Sequence, residues 1–118
     1  MNKEFIIGTA NFSISSDVVF NDYIRAIKKA LKDNYYILRK YTGSKENKIQ
    51  IGIYDSREYC ISKEISYEIY KKYAKKVVDI AWLDEVMQSK ECFIKKKGIR
   101  IEQKRYISYV FDRKILKL

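Results

Sequence analysis

Residues 16 to 33 repeat apolar side chains at helical spacing. Phe20, Tyr23, Ile24, Ile27 and Leu31 share one stripe, with Asn21, Asp22, Arg25, Lys28, Lys29 and Lys32 opposite. That spacing predicts an amphipathic helix. Ser15, Ser16 and Asp17 are N-cap candidates at its start, and Asp33-Asn34 stops it. Ahead of it, Glu4 to Ile14 reads as a first strand, with Phe12 and Ile14 on one face and Gly8 near the middle. Tyr35 to Tyr41 packs β-favouring residues without a helical period and predicts a second strand. A polar turn, residues 42–47, leads to a third strand at Lys48 to Tyr54, where Ile49, Ile51 and Ile53 alternate. Asp55-Ser56-Arg57 breaks it. A second helix runs from about Ser62 to Lys76 on the stripe Ile65, Ile69 and Tyr73. Val77 to Asp79 is a fourth strand. Asp79 then caps a third helix that carries Trp82 in its first turn and Val86 one turn on. The predicted order is β-α-β-β-α-β-α.

Beyond Phe93 and Ile94 the pattern weakens. Lys95-Lys96-Lys97-Gly98 reads as a linker. Residues 99–111 alternate loosely, through Ile99 and Ile101 and later Ile107, Tyr109 and Phe111. They fit one or two added strands, or an extended segment packed on the body. The expected division is a domain at 1–94 and a basic C-terminal extension or linker at 95–118.

Composition narrows the chemistry. A length of 118 residues suits one domain with a modest core. Hydrophobic residues at 47% are enough for a folded chain. No apolar run reaches the length of a membrane span, and the N-terminal apolar stretch is too short for a signal peptide. An intracellular protein with no membrane partner is expected. The two cysteines, Cys60 and Cys92, fit no metal-ligand or redox spacing. Histidine is absent, which excludes Ser-His-Asp and Cys-His catalysis within the chain. The four glycines are scattered, so there is no phosphate-cradling loop. No enzyme activity, cofactor, metal or small-molecule substrate is called for. The net charge of +10 is uneven: residues 95–118 hold nine basic and two acidic residues, while the body is nearly balanced.

The Val78-Asp79-x-x-Trp82 segment resembles the last strand and helix of a BRCT domain. Phe5, Gly8 and Phe12 are similar to that family's first strand, and Asp33-Asn34 stands where it usually has a Gly-Gly turn. The resemblance covers roughly residues 4–94. It implies an α/β fold: a small parallel four-stranded sheet flanked by three helices on both faces, followed here by a basic C-terminal extension. It also implies a non-catalytic protein-interaction module in DNA repair, replication or checkpoint assembly, as part of a larger repair protein such as a DNA ligase, and nuclear in a eukaryotic cell. A phosphopeptide pocket of that family needs a hydroxyl, a backbone N–H and a Lys. Ser15-Ser16 occupies the place of the family's Ser/Thr-Gly pair, with Ser16 at the glycine, and Lys63 lies one turn before Ser66, the position that matches the Lys. For both serines, simple helix capping is the competing reading. For Trp82 the expected role is core packing alone.

The basic segment supports a second function. Lys95, Lys96, Lys97, Arg100, Lys104 and Arg105 interleave with Ile99, Ile101 and Tyr106, a pattern suited to neutralising nucleic-acid phosphates. The alternative identity is thus a small basic nucleic-acid-binding or inhibitor protein of phage or mobile-element type. An antiparallel sheet with 99–111 as an integral strand favours it. Tyr35, Tyr36 and Tyr41 lie beside Arg39 and Lys40, where an edge strand would expose them for contact or stacking; burial is the competing reading, and the one preferred. Tyr23 and Tyr73 fall on core stripes.

Overall fold

Each helix begins where a short polar side chain takes up a backbone N–H. The computed structural model describes residues 6–7, 15–33, 35–38 and 49–118. Ser15 accepts from the Val18 N–H (3.2 Å) and starts α1, Ser16–Lys32. Ser62 accepts from the Ile65 N–H (3.0 Å) and starts α2, Lys63–Tyr73. Asp79 accepts from the Trp82 N–H (2.8 Å) and starts α3, Ile80–Gln88. These are the bonds that orphaned N-terminal donors require.

The strands are β1 (Ile6–Ile7), β2 (Tyr35–Leu38), β3 (Ile49–Tyr54), β4 (Glu58–Ser62), β5 (Val77–Val78), β6 (Phe93–Ile101) and β7 (Lys104–Asp112). Gly8, Phe5, Phe12, Arg39, Lys40 and Tyr41 lie outside the described residues. β1 and β5 form a separate parallel pair. The main sheet has five strands in the order β2-β3-β4-β7-β6. The fold is α/β, but this sheet is not the parallel four-stranded one expected. Only β2 and β3 run parallel in it; the other three pairings are antiparallel. The reason is local. Three residues join β3 to β4 and two join β6 to β7, and such short connections permit only hairpins. Asp55 sets the first turn by accepting from the N–H groups of Arg57 (2.8 Å) and Glu58 (3.0 Å).

The expected linker is therefore a strand. Lys95, Lys96, Lys97 and Gly98 lie inside β6, and β7 sits between β4 and β6. Tyr109, Val110 and Phe111 are fully buried, and Leu116 is in the core as well. Residues 95–118 are thus part of the body's core and not an appendage to it.

Side chains alternate between two faces of the sheet. Tyr59, Ile61, Tyr109 and Phe111 face a core shared with all three helices, through Tyr23, Ile27, Tyr70, Leu83 and Met87. The helices that were expected on both faces share this one core. The other face holds a smaller cluster of Cys60, Ile99, Ile101 and Val110, flanked by Ile53, Ile65 and Tyr106. β3 and β6 approach each other although β4 and β7 lie between them. The sheet therefore curls and closes this second face on itself. Trp82 is half-buried against the larger core. Tyr67 and Tyr70 hold β5 in place: the Tyr67 hydroxyl donates to the Val78 carbonyl (3.0 Å) and the Tyr70 hydroxyl accepts from the Val78 N–H (3.1 Å). None of the described helices is long and apolar enough to cross a membrane.

Candidate nucleic-acid interface

All six basic residues singled out in the C-terminal segment sit on one hairpin. β6 carries Lys95, Lys96, Lys97 and Arg100; β7 carries Lys104 and Arg105. β4 pairs only with residues 108–112 of β7, whereas β6 pairs along its whole length. Residues 98–107 therefore extend past β4 as a two-stranded ribbon. Its turn is Glu102-Gln103, closed by the Ile101–Lys104 pair. Glu102 has φ 58° and is the one positive-φ non-glycine among the described residues. Positive φ at the first central residue alone is the type II′ pattern, which normally takes glycine there.

Alternation splits the cations between two faces. Lys95, Lys97 and Lys104 share a face with Ile99, Ile101 and Tyr106. Lys96, Arg100 and Arg105 share the other with Phe93 and Tyr109. Their surroundings differ. Lys96 donates to Asp84 Oδ2 (2.7 Å), and Lys63 approaches Asp84 Oδ1 (3.3 Å). Lys104 stands 5.2 Å from the Tyr106 ring centroid and 3.9 Å from Glu64. The Arg105 guanidinium lies over Gly98, where a Cβ would meet it at 3.0 Å. Arg100 is directly opposite Arg105. Like charges so placed repel, and a bound anion would relieve them. Lys95, Lys97, Arg100 and Arg105 form no ion pair among the described residues.

Asp84 clasps three elements. Burial works to raise its carboxyl, but the Lys96 hydrogen bond and the Lys63 charge outweigh that and hold it below the usual aspartate range. Nearby, burial pushes the Tyr109 phenol far above its ordinary value, aided by Tyr23 and Asp84. Burial also raises the Tyr23 phenol. Ser66 lies beside Tyr23 but donates to the Lys63 carbonyl (3.3 Å), which leaves the Tyr23 hydroxyl without a well-aligned partner. Burial raises both thiols, Cys60 and Cys92, so neither is a ready nucleophile. Among the described residues no group of three or more His, Cys, Asp or Glu is placed to hold a metal.

The phosphate-pocket residues have other attachments. Ser15 caps α1. The Ser16 hydroxyl is 3.4 Å from the Lys90 ammonium, which also pairs with Asp17. Lys63 is held by Asp84. The cation beside Ser16 is thus Lys90, 74 residues away in sequence. No local pattern marks it. Glu102, at the ribbon end, carries no sequence signal of a site either, whereas Tyr106 stands within the basic pattern that the sequence shows. A turn without Gly or Asn leaves no mark of a hairpin in the sequence.

Comparison of the chain with protein-family models, curated proteins and solved structures finds no match in any of the three.

Proposed function

We propose that this chain is a small basic nucleic-acid-binding protein that grips the phosphate backbone with the β6–β7 hairpin. The observation that carries the proposal is the gathering of six Lys and Arg on one hairpin, four of them without an ion pair among the described residues. The alternating side chains of a two-stranded ribbon point to both of its faces, so its cations can contact backbone phosphates on either side. The integral, antiparallel 93–112 segment supports this reading over the modular one. The test is fluorescence anisotropy against a labelled oligonucleotide across a salt series. Log affinity should fall linearly with log salt. Lys95→Gln, Lys97→Gln and Arg100→Gln together should flatten the slope by about 0.7–0.9 for each phosphate no longer neutralised. Absence of binding, or binding indifferent to salt, refutes the proposal.

A second reading draws on the β5–α3 junction, where Asp79 caps the helix and Trp82 packs one turn in. On this reading the chain is a non-catalytic BRCT-like interaction module with a phosphorylated protein partner. The mixed sheet weighs against it. Binding to phosphoserine peptides but not to their unphosphorylated twins, abolished in Ser16→Ala, would favour it.

A further inference from the structure

We propose that the open end of the curled sheet accepts one unstacked base, so that the preferred ligand is single-stranded nucleic acid. The inference rests on the phosphate-binding reading and assigns its substrate class. At that end the start of β3, the first turn of α2 and the β6–β7 turn enclose a groove of about 540 Å³. Ile65 and Ile101 line its apolar side, and Gln50, Glu102, Lys104 and Tyr106 line its polar side. The volume falls within the range of small-ligand sites.

Three observations point to a base. First, Tyr106 is a half-buried ring at the mouth of the groove, already faced by the Lys104 ammonium. An aromatic ring is a platform for base stacking, because every base has a π-face, and the flexible Lys104 side chain can swing from the ring to a phosphate. Second, Lys95, Lys97 and Lys104 share the face of the hairpin that carries that ring, and they can meet the phosphates flanking a bound base. Glu64 offsets part of the Lys104 charge. Third, Glu102 holds a left-handed backbone that glycine would adopt more easily. A strained residue at an exposed turn, lining the groove and in no ion pair among the described residues, is a candidate for direct use. Its carboxylate is an acceptor only, and so suits a base with an exocyclic amine such as cytosine.

The test compares oligo-dC, oligo-dT and a duplex of equal length by anisotropy at one salt concentration. The wild type should bind oligo-dC more tightly than oligo-dT, and either single strand more tightly than the duplex. Tyr106→Leu should weaken oligo-dC binding about tenfold, the order expected when one base no longer stacks. Glu102→Gly relaxes the turn without unfolding the hairpin, and should equalise dC and dT. Equal binding of duplex and single strands, or a cytosine preference that survives Glu102→Gly, overturns the inference and leaves the phosphate reading standing. No binding to any of the three overturns both. The wild-type comparison and Glu102→Gly decide the matter even if Tyr106→Leu fails to fold.

Discussion

At the residue scale, two backbone positions are under opposite constraints. Gly52 faces the Cys60 carbonyl so closely that a Cβ would lie 2.0 Å from its oxygen. No side chain fits there unless β3 and β4 move apart. Gly52→Ala should therefore cost about 2–3 kcal/mol, the upper range for overpacking, read as a lower urea midpoint. Glu102 is the converse case. Its φ of 58° is easier for glycine. Glu102→Gly should stabilise the fold by about 0.5–1 kcal/mol, seen as a raised melting temperature. If the same variant also loses base preference, the side chain's function and its conformational strain share one position.

At the element scale, the β6–β7 hairpin has two roles. Among the described residues β6 is an edge strand, with one row of its backbone groups facing away from the sheet. Lysines along such an edge resist pairing with another chain, which suits the hairpin to a charged ligand more than to another copy of itself. The hairpin is tied down through Lys96 to Asp84, and Asp84 also holds α2 through Lys63. The pH dependence follows from the direction of the Asp84 shift. Its carboxyl lies below the usual value in the fold, so its stabilisation is complete above about pH 4, the unfolded value. It is lost as pH falls through the lower folded value. Asp84→Asn should cost about 1–3 kcal/mol at neutral pH, between the values for exposed and buried pairs. The deficit should shrink toward acid, where the wild type loses the same pairing. Urea midpoints at about pH 7 and about pH 3 measure both.

At the scale of the whole molecule, the described strands and helices pack around β7. That strand is flanked on both sides and contributes four fully buried residues, Ser108, Tyr109, Val110 and Phe111. Truncation after Ile94 should leave no cooperative unfolding transition, because β4 loses one of its two partners and both cores open. A detached extension would come away without that loss. Circular dichroism melting of the truncated chain distinguishes the two. The curl that brings β3 toward β6 also creates the open end where Gln50, Ile65 and Tyr106 meet. The proposed base site is thus a product of the sheet's shape, since its residues are far apart along the chain.

The sequence alone determined what local chemistry controls. The amphipathic stripe of α1, the Asp79 cap before Trp82 and the alternation of Ile49, Ile51 and Ile53 each lie within a few residues of one another. The basic character of 95–118 is likewise plain from composition. Only the tertiary structure decided the rest. β4 leaves no signal of its own, because Tyr59-Cys60-Ile61 is too short to declare a period and passes straight into α2. The sheet's mixed direction depends on a turn made by Glu102-Gln103, which lacks the usual turn residues. Lys90 beside Ser16, and Asp84 between Lys63 and Lys96, are pairings across long stretches of chain, and which cation finds which carboxylate is settled by packing. Cations written as a run along the sequence become the proposed binding surface only when strand alternation divides them between two faces and β4 stops short of the ribbon's end.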